Sequence, residues 1–441
     1  MTMIAEQNDP AAMQTASGYP EVKKMNTNFL FSDEEISTLR ELAKKVAEIA
    51  VRPDMKKKAD LWTKHNDLQT DEPVVFVDPE NGWNEIISPK SLVSKDPLAR
   101  VWEMALRKQI FWADGMKDDK VIEPYFDVPY SYSDDGWGID LNIEGGDSGG
   151  SFIILPTLNN YTEDFPKLHY PNFIIDKEQS EIIMNLALDV FDGILLVRRK
   201  NVWWWTLGMT FDFVYIRGME EFMCDIIAEP ENFHRMMNFL CEGKLKMLDF
   251  LEENDFLQTN TGGTYIGSGG FGFTSQLPGP ELGNKVRLND MWGFVDAQET
   301  IEINPKQYAE FVLPYHKRIA ERFGLNCYGC CEDFNRRWEY VKELPRLRRI
   351  SVSPWADLST VPDYLGRDYV ASVKLSPTAL AMPSIDEDLV RADCRAAVEQ
   401  TKGGICEFLM KDNHTLGGNQ KNITRWVEIM REEIDRVYHN G

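Results

Sequence analysis

With 441 residues and 43% hydrophobic content, the chain can bury a large core, and its length suits one large α/β barrel with an extension or two ordinary domains. A formal charge of −23 argues against a nucleic-acid or anionic-lipid surface, since both reward clustered Lys and Arg. Seven cysteines, an odd and unevenly spaced set, form no disulfide framework and are expected to stay reduced.

No charged-then-apolar leader opens the chain and no apolar run is long enough to span a bilayer, so a cytoplasmic protein without membrane contact is expected. Residues 1–28 are polar and aperiodic, an arm expected to be mobile or to lie across the partner subunit of a homodimer. Ser32-Asp33-Glu34-Glu35 is a capping box. The helix behind it has a buried stripe at Ile36, Leu39, Leu42, Val46 and Ile49, and Pro53 is its expected stop.

Pro73-Val74-Val75-Phe76-Val77 reads as a first inner strand, and Pro97 to Trp112 as a helix with proline in its first turn. From Glu123 to Gly150 the aromatics, Asp and Gly predict long loops with short strands, the kind of segment that shapes a binding site. The glycine runs at 145–150, 262–263 and 267–272 lack the strand-then-helix frame and Lys-Ser/Thr ending of a phosphate loop, and are expected to be turns or lids. Gly193 to Val197 reads as a buried parallel strand after a helix at about 177–190. Trp203-Trp204-Trp205 cannot all face one side, so one of them should line a cavity or a subunit contact.

Helices are expected at Met219 to Ala228, Pro230 to Glu253 and Pro305 to Phe323. Four strand–helix units follow, with strands near Cys330, at Arg349 to Ser353, Tyr369 to Val373 and Ile405 to Met410, and a last helix from about Asn422. Such a series implies a parallel sheet with right-handed crossovers. Leu325 to Asp333 holds three of the seven cysteines and reads as the end of one strand. Extended alternation would put Tyr328, Cys330 and Glu332 on one face and Cys327 on the other, so Cys327 and Cys330 should diverge.

Several of these segments together resemble the uroporphyrinogen decarboxylase superfamily. They are Met219-Glu220-Glu221-Phe222-Met223 leading to Glu229-Pro230-Glu231, Asn304-Pro305 through Phe311-Val312-Leu313-Pro314-Tyr315, and the cysteine strand. The resemblance runs from about Leu61 onward and implies a TIM (β/α)8 barrel over residues 71–441, preceded by an N-terminal arm and helical extension over 1–70, with long strand-to-helix loops. It also implies methyltransferase chemistry, in which a His-x-Cys pair and a late Cys or His bind zinc and a corrinoid on a partner protein exchanges the methyl group. The matching positions are Tyr328, Cys330 and His414, with tyrosine standing where the family has its first histidine. The arginine-rich N-terminal motif of the tetrapyrrole decarboxylases is not found.

The expectation is therefore a methyltransferase acting on a small methoxylated, aromatic substrate, with zinc as Lewis acid on Cys330 and His414. Glu299 or Glu332 would be third ligand or acid/base, and Tyr328 would donate to a substrate oxygen. Asp296, Trp204 and Phe271 would line the substrate site. A metal-independent decarboxylase or lyase of the same superfamily, or a non-catalytic ligand-binding barrel, are the alternatives. Cys224, Cys241, Cys394 and Cys406 read as small hydrophobes. His65, His234 and His439 are given no role, while surface or core duty is favoured for His169 and His316.

Overall fold

Side chains alternate along a strand, and here the alternation builds a sheet with two unlike faces. The computed structural model describes residues 31–70, 72–139, 142–145, 152–280, 283 and 285–439; the arm at 1–28 and most of the glycine run at 145–150 lie outside them. In chain order the strands among the described residues are β1 (Val74–Val77), β2 (Tyr125–Val128), β3 (Ser131–Asp134), β4 (Asn142–Gly145), β5 (Phe152–Leu155), β6 (Phe173–Asp176), β7 (Leu196–Arg199), β8 (Trp292–Val295), β9 (Leu325–Tyr328), β10 (Leu347–Val352), β11 (Val370–Lys374) and β12 (Ile405–Met410).

Six of them form one parallel ladder in the order β1-β12-β11-β10-β9-β8. β2 and β7 form a separate parallel pair, while β3–β6 and β4–β5 are antiparallel. Single backbone bonds tie segments beside the small pair to both edges of the large sheet: Asp119 N–H to Val75 O at 2.8 Å and Leu207 N–H to Phe294 O at 2.9 Å. Among the described residues, strand pairing does not close the sheet into a continuous cylinder.

Helices cover one face. Val75, Val77, Ile350, Val352, Val373 and Phe408 are buried there, and Tyr328 meets Tyr308 and His316 at ring distances of 6.2 and 6.4 Å. The opposite face is mixed, with Phe76, Phe294, Cys327, Arg349, Ser351, Ser372, Lys374, Glu407 and Leu409 in aligned register. Onto it folds the loop Tyr265–Phe271, held by Ile266 N–H to Gly270 O at 3.2 Å. This glycine run is therefore an internal plug and not a lid. A Cβ on Gly269 would stand 2.0 Å from Leu409, and one on Gly270 would stand 2.8 Å from both Glu407 carboxylate oxygens, so only glycine lets the backbone approach the strands so closely.

Beneath the plug lies a buried polar group. Arg349 meets Glu407 at 3.1 Å, His65 meets Glu407 at 3.3 Å, and Arg349 donates to Asn66 Oδ1 at 2.6 Å. Burial holds His65 below its ordinary value against the pull of Glu407, which keeps the imidazole neutral and leaves Arg349–Glu407 as the ion pair. Asn66 also donates to the carbonyls of Phe271 and Phe273, at 2.8 and 2.7 Å. His65 and Asn66 belong to the helix Pro53–Asn66, so this helix shares the core of the sheet.

Local departures from expectation have local causes. The capping box at Ser32 forms as expected, but Pro53 opens a second helix after the first ends at Ala50, because proline fits the first turn, where its missing N–H costs nothing. The helix from Pro305 is interrupted at Val312 and restarts with Pro314 in its first turn. The strand expected at 193–197 lies at 196–199 and includes Arg198 and Arg199, which bind Asp127 at 2.5 Å and the Pro129 carbonyl at 2.8 Å. Among the described residues no helix is long and apolar enough to cross a membrane.

Candidate functional site

A parallel strand that leaves the core must carry its first polar residue out at the carboxyl end, and in this sheet those residues line one edge. Asp78 follows β1, Lys411 follows β12, Lys374 ends β11, Ser353 follows β10, Cys330 lies two residues past β9, and Asp296 follows β8. Every one of them is buried.

Two ammonium groups stand in the middle. Lys374 donates to Ser351 Oγ, which in turn donates to the Cys330 carbonyl at 2.7 Å. Burial pulls Lys374 down to about 8. Burial works against Lys411 too, but the acidic groups around it outweigh burial and raise it well above its ordinary value; Asp412 is 3.3 Å away and Glu80 4.0 Å. Asp78 and Glu80 lie on that side, both raised by burial, Glu80 further by the charge of Asp78. The buried Tyr265 hydroxyl has no hydrogen-bond partner.

On the other side stands a group of carboxyls. Asp296 accepts from Thr206 Oγ1 at 2.7 Å, and Glu299 accepts from Thr210 Oγ1 at 2.7 Å. Burial, followed by the nearby Glu332, Cys330 and Glu299, raises Asp296 well above its ordinary value. Glu299 is raised, by burial first. Glu332 accepts the backbone N–H of Cys330 at 2.7 Å and of Ala297 at 2.9 Å, so it braces the ends of β9 and β8.

The parity expected for the cysteine segment does not hold. β9 ends at Tyr328, and Gly329 takes a left-handed φ of 89° that resets the alternation. Tyr328, still within β9, faces the helix layer, and past the glycine Cys330 joins Cys327 against the plug, Cys327 beside Gly267 and Cys330 as acceptor from Ser268 Oγ at 3.2 Å. Tyr328 thus has no access to the mouth. Phe271 is 1% exposed and packs against Trp62, Phe76 and Tyr265. Trp204 rests on Phe323, at the amino end of β9. His65 and His316, given no site role, are fully buried, and burial drops His316 to about 3.

His414 is exposed, its Nδ1 3.5 Å from Asn81 Nδ2. Cys330 is buried beside Cys331, with an Sγ–Sγ distance of 3.6 Å. The hydrogen bond with Cys331, then burial, raises the Cys330 thiol well above its ordinary value. Among the described residues no group of three or more His, Cys, Asp or Glu side chains could hold a metal ion. A thiol held protonated, an imidazole out in solvent and two nearby ammonium groups do not fit the donor set that zinc needs.

What sequence reading overlooked are Lys374, Lys411, Asp78 and Glu80. The signal was present: Val-Ala-Ser-Val-Lys374, Met410-Lys411 and Val77-Asp78 each set an ionisable residue at the end of an apolar run. On the same edge, a cleft of about 230 Å³ is lined by Ile301, Asp333, Arg336, Arg337 and Trp355, from loops after β8, β9 and β10. A larger cleft of about 510 Å³, between Leu42, Ile86, Arg107 and Phe111, contains none of the groups above.

No family model and no curated protein matches this chain. Among solved structures it is similar to a methyltransferase from Methanosarcina mazei, with 10% identity and a TM-score of 0.40 over 68% of this chain and 77% of that one. Likeness at that level carries no argument about fold or chemistry, which rest on the residues themselves.

Proposed function

We propose that this chain is an acid-assisted methyltransferase working at the carboxyl edge of a TIM barrel, of which the six-strand and two-strand ladders are the parts. The observation that carries the proposal is the carboxyl of Asp296, buried on the same edge as two buried ammonium groups and raised by that burial well above its ordinary value. When a methyl group leaves an ether, the oxygen must take up a charge equivalent. A carboxylic acid kept neutral at pH 7 can supply the proton, an effect of roughly 10²–10⁴ in rate. Asp296 is the donor in this reading, Thr206 fixes its orientation, and Glu299 resupplies the proton. Lys374 and Lys411 hold the anionic part of a small methoxylated aromatic substrate. The methyl acceptor is the corrinoid of a partner protein, supported by the family resemblance alone. No step is assigned to zinc.

Incubation with a reduced corrinoid and methoxybenzoates tests this. The expected result is one methylated corrinoid per phenol released, lost in Asp296→Asn. A second reading, a metal-independent decarboxylase or lyase, is favoured by the same two lysines, which suit a substrate carboxylate, with Asp296 protonating the carbanion. Release of CO₂ without corrinoid methylation would select it.

A further inference from the structure

Cys330-Cys331 is the only adjacent cysteine pair in the sequence, and its geometry is unusual for thiols with nothing to bind. The two sulfurs are 3.6 Å apart, with Cys330 beneath the surface and Cys331 half-exposed. Behind them Ser268 donates to Cys330 Sγ at 3.2 Å, and Glu332 pins the Cys330 backbone N–H at 2.7 Å. The Cys330 sulfur is therefore held from below, with the Cys331 sulfur beside it.

Such a pair has two chemical options. A disulfide requires the sulfurs at about 2 Å and Cα atoms roughly 4.4–6.8 Å apart. Neighbouring residues across a trans peptide are only about 3.8 Å apart at Cα, so closing that bond strains the chain. A single soft atom bridging both sulfurs asks for no such closure.

We infer that Cys330 and Cys331 form a chelating dithiol site for a thiophilic trivalent centre, of which organic arsenic(III) is the simplest representative. Softness selects sulfur over the carboxylates nearby, and adjacency supplies the second sulfur at high effective concentration. The stoichiometry is closed. With phenylarsine oxide both S–H bonds break, two As–S bonds form, and the oxide oxygen leaves as water with the two protons, without any change of oxidation state. The site is independent of whether the chain transfers methyl groups.

Native mass spectrometry of the full chain with phenylarsine oxide, in excess 2-mercaptoethanol to strip singly held adducts, tests this. One adduct per chain is expected, removed by 2,3-dimercaptopropanol. Occupancy should fall at least about tenfold in Cys331→Ser and in Cys330→Ser, and stay unchanged in Cys224→Ser, which removes an exposed thiol far from the pair in sequence. Should Cys330→Ser fail to fold, the wild type supplies its own control, because prior arsenical should block iodoacetamide labelling of Cys331. An adduct that survives in Cys331→Ser, unblocked labelling of Cys331, or no adduct on the folded wild type overturns the inference.

Discussion

Burial among other acidic groups raises Asp296 well above its ordinary value, and the acid role proposed for it rests on that. Asn at this position still accepts from Thr206, so Asp296→Asn should fold normally by circular dichroism and lose roughly 10²–10⁴ in kcat. Lys374 makes an opposite demand. Below pH 8 both folded and unfolded chains hold its proton, and the full cost of burying the ammonium is present. From about 8 to 10.5 the unfolded chain binds the additional proton, so this group's contribution to stability rises with pH by roughly 3 kcal/mol. Denaturant unfolding at a series of pH values should show that slope, and Lys374→Met should flatten it while abolishing turnover. Residue positions were only partly legible in the sequence. Asp296 and Glu299 were visible as acids after an apolar strand, but Tyr328 was placed on the face of Cys330, and the left-handed glycine between them puts the two on opposite faces.

At the scale of elements, the plug over Arg349–Glu407 is the least tolerant part of the molecule. Gly270→Ala forces a methyl against the Glu407 carboxylate at a left-handed φ of 84°, and should lower stability by about 2–4 kcal/mol, read as a drop in Tm. Arg349→Met leaves the buried Glu407 without its permanent cation and with only the imidazole of His65 beside it, at a cost of about 3–5 kcal/mol. The double variant Arg349→Met/Glu407→Met should recover much of that loss, because the buried charges then leave together. The strands after residue 320 and the helices at 219–228 and 230–253 were legible because apolar runs and prolines mark them. The plug was not, since glycine-rich segments inside a core and on a surface have the same composition, and only the Cβ contacts tell them apart.

For the whole molecule, the helix Pro53–Asn66 joins the first helical segment to the sheet through Trp62, His65 and Asn66, all buried without exposure. Deleting residues 1–70 should therefore abolish the cooperative unfolding transition of the remaining chain and not merely shorten it, as chemical denaturation would show. Overall organisation was legible as far as a parallel α/β sheet with its polar residues at the carboxyl edge. The separate β2–β7 pair was not, because strands as short as these four-residue ones carry almost no periodicity.

In the proposed mechanism the carboxyl edge holds an acid, Asp296, that gives its proton at neutral pH. Infrared difference spectroscopy of wild type against Asp296→Asn at pH 7 measures this directly, through the carbonyl stretch of a protonated carboxyl. The band should be present in the wild type and absent in the variant, and should persist well above the ordinary carboxylate range; a difference spectrum carrying only ionised-carboxylate bands at pH 7 would contradict the account.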